Sequence, residues 1–183
     1  IYNLPPVFDT SFVTMYGGHR AGICGTAITE NERIVNIRDV SSINIRIAKE
    51  YKGCAESIAS RFNDMNAGVL ICGPPCSGKT TVLRDLARIL SVKKQKNVSL
   101  IDERGELAGT YLGVYQNDIG MCDVFDGYKK SVGMNQAVRA MAPDIIICDE
   151  IGSDDDIIAL EHSVKCGVVI IATVHAINED ELM

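Results

Sequence analysis

Val69-Leu70-Ile71-Cys72-Gly73-Pro74-Pro75-Cys76-Ser77-Gly78-Lys79-Thr80 runs an apolar strand straight into the pattern Gly-x-x-x-x-Gly-Lys-Thr. A stretch with apolar Val82, Leu83, Leu86, Ala87 and Leu90 at helical spacing follows it. Strand, glycine-bounded loop and helix in this order form the setting in which backbone N–H groups wrap phosphates, aided by the positive end of the helix. Lys79 is expected to reach the β- and γ-phosphates of a nucleotide, and Thr80 to place its hydroxyl on Mg²⁺. Gly73, Pro74, Pro75, Cys76, Ser77, Gly78, Lys79, Thr80 and Thr81 are therefore the expected nucleotide-binding residues. Pro74 and Pro75 lack N–H donors, but they precede the amides of Ser77 to Thr81 that are expected to face the phosphates, so they stiffen the loop without disarming it. The competing reading is a chance match or an inactive domain, and the flanking strand and helix weigh against it.

Outward from this loop, short apolar runs alternate with helical patterns. Val69–Cys72, Val98–Ile101, Ile145–Cys148 and Val168–Thr173 read as strands. Met134, Ala137, Val138 and Met141 line one face of a helix that Pro143 ends, and Ile157, Leu160, Glu161 and Val164 line a second. Asp154 to Asp156 suit the positive end of that second helix. Continuous apolar strands joined by helices predict an α/β fold with a doubly wound, mostly parallel sheet. The first part of the chain differs. Glycines punctuate its short apolar runs, and Ile43-Asn44-Ile45-Arg46-Ile47 alternates as a half-buried strand does. Residues 1–54 are read as a partial β-rich domain and 55–183 as the ATPase core, entered by a helix from about Ala55 to Asn63.

Asp149-Glu150 follows Ile145-Ile146-Ile147-Cys148 and so emerges at the carboxyl edge of the sheet, where ligands bind in such folds. Asp149 is expected to hold Mg²⁺ through water, and Glu150 to orient or deprotonate an attacking water. Capping of the next turn is the plainer alternative. A second cluster, Asp102-Glu103-Arg104-Gly105-Glu106, leaves Val98–Ile101 at the same edge and reads either as a solvated turn or as part of the site. His175 follows the apolar run 168–172 at that edge, and it or Thr173 is a candidate donor to a γ-phosphate; a structural histidine is the alternative.

With 183 residues, 46% of them hydrophobic, the chain is long enough for one medium domain plus an appendage. A net charge of −6 and the absence of interleaved basic and aromatic residues argue against a nucleic-acid surface. Seven scattered cysteines without paired spacing read as free thiols in a reducing compartment. No apolar run is long enough to cross a bilayer, and no basic leader opens the sequence. Opening without Met and ending at Glu181-Leu182-Met183, it reads as a piece of a longer chain, with the core truncated at its C-terminal side.

The loop, the acidic cluster, Asp149-Glu150 and His175, in this order, resemble the Walker A, acidic box, Walker B and histidine box of the secretion-superfamily ATPases, which are RecA-like ring motors. Arg20-Ala-Gly-Ile-Cys-Gly, Ile43-Asn-Ile-Arg46-Ile-Ala, Asp102-Glu-Arg-Gly-Glu, Tyr115-Gln-Asn-Asp-Ile-Gly and Ala142-Pro-Asp-Ile-Ile-Ile-Cys-Asp-Glu-Ile-Gly narrow the resemblance to the stage III sporulation protein AA family, from about Gly17 to Ala176. The resemblance implies catalytic roles for Glu150, Glu103 and His175, and Mg²⁺ contacts from Thr80, Asp149 and Asp102. It further implies a cytoplasmic, ATP-hydrolysing homohexamer, peripheral to the membrane through membrane proteins of a sporulation channel between mother cell and forespore. Arg46, with Arg38 on the same segment, matches the region from which related motors send an arginine to a neighbour's nucleotide; a solvated strand residue is the plainer alternative. The Ala176-Ile177-Asn178 that follows His175 departs from the common histidine-box ending. Two other functions compete: a nucleic-acid-dependent RecA-like ATPase, against which the acidic balance weighs, and a nucleotide-switched scaffold, against which intact Lys79, Asp149 and Glu150 weigh.

Overall fold

Five short strands and four helices form the larger of two compact units, and the computed structural model describes residues 12–62 and 67–175 of the chain. One unit comprises Ile1–Lys49 with Gly109–Gln116, the other Glu50–Ala108 with Asn117–Met183. The expected helix end at Asn63 and the Ala176-Ile177-Asn178 segment lie outside the described residues.

The larger unit is built on β4 (Val69–Cys72), β5 (Val98–Asp102), β6 (Asp123–Asp126), β7 (Ile145–Cys148) and β8 (Val169–Val174), paired in the order β4-β8-β7-β5-β6. Every pair is parallel. Side chains alternate between the two faces of a strand, and here both faces are covered. Leu100, Ile145, Ile147 and Ile171 face one core with Leu83, Leu86 and Leu90 of α2 (Lys79–Val92) and Ala59 of α1 (Glu56–Arg61). Ile101, Ile146, Cys148, Ile170 and Ala172 face the other with Met134 and Ala137 of α3 (Lys130–Ala140) and Ala159 of α4 (Asp154–Lys165). The four expected strands are present, and β6 is one that the pattern did not reveal. At Gly133 an added Cβ would meet Ile101 Cγ2 at 2.7 Å, so α3 lies against the sheet at a distance only glycine permits.

Helix α4 starts as its three aspartates predict, reinforced by a capping box. Ser153 Oγ accepts from the Asp156 amide at 3.2 Å, and the Asp156 carboxylate accepts from the Ser153 amide at 3.2 Å. Its buried face differs from the expected one. Asp156, Ala159 and Ser163 are buried with Leu160 beside them, whereas Ile157 and Val164 are exposed. The cap fixes the rotation of the helix by burying Asp156, and small Ala159 and Ser163 then follow it inward.

The smaller unit carries a three-stranded antiparallel sheet, β1 (Val13–Thr14), β2 (Arg20–Glu30) and β3 (Arg33–Arg46). Its register breaks between Cys24 and Thr26, at Gly25. The expected half-burial of Ile43-Asn44-Ile45-Arg46-Ile47 is not seen. Ile43, Ile45 and Ile47 are 60%, 58% and 67% exposed, because no helix covers either face of this ribbon among the described residues of its unit. No described helix is long and apolar enough to cross a membrane.

Candidate functional site

Parallel strands all end at one edge, which delivers four segments to the same place: the loop after β4, Glu103-Arg104 after β5, Asp149-Glu150 after β7 and His175 after β8. The loop after β4 turns through Gly78, which caps α2 at φ +93° and has open space where a side chain would point. A left-handed turn here aims the first, unpaired N–H groups of α2 into the loop. Lys79, buried at 8% exposure, curls back so that Nζ donates to the carbonyls of Gly73 at 2.7 Å and Pro74 at 2.8 Å. Pro74 therefore supplies an acceptor where it lacks a donor; its carbonyl also accepts from the Ser77 amide at 3.3 Å.

Lys79 Nζ also lies 3.2 Å from His175 Nδ1, and His175 Nε2 lies 2.7 Å from Glu150 Oε1. An ammonium can only donate, so Nδ1 accepts and the ring proton sits on Nε2, from which it is donated to Glu150. A single neutral tautomer of His175 thus satisfies both neighbours. The other Glu150 oxygen accepts from Arg104 Nη1 at 2.5 Å. Burial acts to raise the Glu150 carboxyl pKa, but the His175 hydrogen bond and the charges of Arg104 and Lys79 outweigh it and hold the group below the ordinary glutamate value. Glu150 is a carboxylate at neutral pH.

Asp149 is anchored on both oxygens. Thr80 Oγ1 donates to Oδ2 at 2.8 Å and Thr173 Oγ1 donates to Oδ1. Thr173 in turn accepts from the Glu150 amide at 2.8 Å, while Glu150 itself adopts φ +51°. With its proton committed to Asp149 and its side chain fully buried, Thr173 is not the alternative γ-phosphate donor that its position suggested. It holds the backbone of Glu150 instead.

Asp102 requires a similar correction. The expectation of a Mg²⁺ ligand fails because its carboxylate, 2% exposed, accepts the amides of Glu106 at 2.7 Å, Leu107 at 3.1 Å and Ala108 at 2.8 Å. Burial raises its pKa against the lowering effect of these donors. Asp102 shapes the 103–108 loop, which Arg84 of α2 secures from the other side by donating to the carbonyls of Leu107 at 3.0 Å and Glu106 at 2.9 Å. Glu103 forms an ion pair with Lys130 at the start of α3. Arg104, Arg84 and Lys130 are partners the sequence reading had not assigned, and Thr173 had been assigned a different task; of the three, only Arg104, embedded in the acidic cluster, carried a signal. Arg46 and Arg38 stand exposed on β3 of the smaller unit, Arg46 opposite Arg20 in register.

The residues present fit Mg²⁺ bound with a nucleotide. Among the described residues no group of three or more His, Cys, Asp or Glu forms a metal cage. A hydroxyl and a carboxylate 2.8 Å apart at the mouth of a phosphate loop suit an ion that takes its remaining ligands from water and phosphate oxygens.

The family described as "Sporulation stage III, protein AA" matches residues 1–183. Stage III sporulation protein AA of Bacillus subtilis (strain 168) is 39% identical over 189 aligned residues, covering 100% of this chain and 62% of that protein. Among solved structures, the Legionella pneumophila ATPase DotB superimposes with a TM-score of 0.61 at 17% identity, over 90% of this chain and 45% of that one. The pilus retraction motor PilT with bound ADP gives 0.60 at 15% identity, over 86% and 44%. These likenesses establish the α/β, RecA-like fold of the secretion ATPases. The chain spans less than two thirds of the length of these relatives.

Proposed function

Because this chain belongs to the stage III sporulation protein AA family, we propose that it is an ATP-hydrolysing motor. In this reading it acts as a homohexamer in the cytoplasm, attached through membrane proteins to a sporulation channel between mother cell and forespore. The observation that carries the reading is the contact chain Lys79–His175–Glu150, with Thr80–Asp149 beside it, at the mouth of the phosphate loop.

In the proposed reaction, the loop amides and Lys79 bind the β- and γ-phosphates, and Lys79 exchanges its carbonyl partners for phosphate oxygens. Thr80 and Asp149 would hold Mg²⁺, which would supply charge neutralisation of the phosphates. Glu150 takes a proton from water as the water oxygen bonds to the γ-phosphorus. The bond to the bridging oxygen breaks, and ADP leaves with that electron pair. His175 keeps Glu150 oriented through Nε2–H and stands within reach of the departing phosphate. Thr173 keeps the Glu150 backbone in its left-handed turn. Arg46, with Arg38 as the alternative, completes a neighbouring subunit's site.

The direct test measures Mg²⁺-dependent phosphate release and ATP binding by the full chain and by Lys79→Ala. The variant is expected to lose tight ATP binding, because it removes the loop's own side-chain cation. Undiminished ATP affinity in Lys79→Ala overturns the assignment. Stimulation of turnover by the membrane partners tests the motor reading separately.

A further inference from the structure

Arg104 belongs to none of the elements that define the phosphate loop or the Asp149-Glu150 pair, yet its guanidinium touches Glu150 at 2.5 Å. Its base is fixed. On one side the Asp102 carbonyl accepts the Gly105 amide at 3.4 Å and the Gly127 amide at 3.0 Å; on the other, the Asp102 carboxylate holds the amides of 106–108. Its side chain is 59% exposed. Glu103 next to it is engaged by Lys130.

Glu150 thus sits inside an arc of donors: Arg104 on one oxygen, His175 on the other, and Lys79 behind His175. Such an arc around a lone carboxylate also matches the charge and geometry of a terminal phosphoryl group. We propose that Arg104 is a γ-phosphate ligand supplied by the same subunit, held by Glu150 until ATP arrives. The proposal rests on the reading of this site as an ATPase.

Relative strengths favour the exchange. A solvent-exposed ion pair contributes little to stability, so leaving Glu150 costs little. A planar guanidinium forms paired, charge-assisted bonds to phosphate oxygens, and the terminal phosphate carries more charge than one carboxylate. Reach is sufficient as well. A water serving as Glu150's proton donor lies about 3 Å from the carboxylate and about 3 Å from the phosphorus it attacks. The phosphoryl oxygens are then within the sweep of an arginine that already touches that carboxylate. The exchange strips Glu150 of one donor at the moment it must accept the water's proton.

The test separates direct contact from action through Glu150. In full-chain Glu150→Gln, which hydrolyses ATP too slowly to disturb binding, the Arg104–Glu150 ion pair is already gone. Adding Arg104→Ala there is expected to weaken Mg·ATP binding about tenfold or more while leaving Mg·ADP binding within about twofold. With Glu150 intact, Arg104→Ala is expected to lower kcat about 10³-fold, the scale of a lost phosphoryl-binding arginine, and Arg104→Lys to fall between. If Mg·ATP affinity in the Glu150→Gln background does not respond to Arg104→Ala, the arginine only positions Glu150 and the proposal fails. An increase in kcat for Arg104→Ala also overturns it, since the arginine is then a restraint. ADP binding and its loss in Lys79→Ala, measured in the same assay, report on the nucleotide site independently; failure there removes the ATPase reading itself.

Discussion

The two units use apolar residues in opposite ways. In the larger one, all five residues of β5 and all four of β7 are buried, with helices over both faces of the sheet. In the smaller one, Ala21 is the one buried hydrophobic side chain among the described residues, and Ile28, Ile34, Val35, Val40, Ile43, Ile45 and Ile47 are exposed along the ribbon. Parallel strands need crossovers, and the crossovers bring the cover with them; an antiparallel hairpin needs only a tight turn and brings none. The unit that covers itself also holds the edge proposed to carry the reaction. Arg46, proposed to complete the reaction, stands on the unit that does not.

Mixing subunits tests that division with the largest expected effect. Glu150→Gln is expected to keep Mg·ATP bound but nearly abolish turnover, and Arg46→Ala to spare nucleotide binding yet lower turnover in the assembled ring about 10³-fold. A ring built from both variants contains sites with one intact Glu150 and one intact neighbouring Arg46, so ATPase activity is expected to recover measurably. Wild-type turnover by a ring of Arg46→Ala alone removes the arginine from the mechanism, and Arg38 is then examined the same way.

Stability should divide as burial does. Leu86→Ala, in the fully buried row of α2, is expected to cost about 3 kcal/mol in denaturant unfolding. Ile45→Ala, at 58% exposure, is expected to stay within about 0.5 kcal/mol. Equal losses at the two positions break the comparison and show that the ribbon has its own core.

A smaller effect marks where the self-covering unit begins. Asp85 of α2, nearly buried, accepts the Ala55 amide at 2.9 Å and pairs with Arg88 at 2.6 Å. Burial acts to raise its pKa, but the Ala55 amide and Arg88 prevail and hold it below the ordinary 3.8. A depressed carboxyl pKa contributes stability that is complete above the unfolded value and vanishes as pH falls through the folded one. Asp85→Asn is expected to cost about 2 kcal/mol near neutral pH, with the gap to wild type narrowing below about pH 4. A gap that does not change with pH shows that the charge is not what matters.

Legibility in the sequence followed the same divide. β7 and β8 could be read because unbroken apolar runs mean burial on both faces. β4 and β5 were legible from their apolar residues too, although edge strand β4 leaves Leu70 and Cys72 exposed and β5 includes Ser99. The loop could be read because its glycines and lysine have few other uses together. β6 could not, since Asp123 and Asp126 enclose only Val124 and Phe125. In α4, counting large apolar residues pointed at Ile157 and Val164, while the cap and small residues decided the rotation. Alternation in Ile43 to Ile47 described a pleated strand correctly but not what covers it. The position of Asp102 was legible and its task was not, because the three residues 103–105 must curl back before its oxygens meet the amides of 106–108.

The loop after Asp102 does one more thing. Past Ala108 the chain leaves the larger unit, contributes Gly109–Gln116 to the smaller, and returns at Asn117, whose amide donates to the Ala108 carbonyl at 3.1 Å and whose side chain donates to Leu107 at 2.8 Å. The smaller unit is therefore moored by three covalent crossings: one near Lys49 and a pair stitched together at the root of the acidic loop. In mechanical terms the first is a tether and the pair is a buckle. The pair leaves the larger unit from the segment that Asp102 and Arg84 hold, so the covalent path to the smaller unit begins in the same loop that carries Arg104 and Glu106.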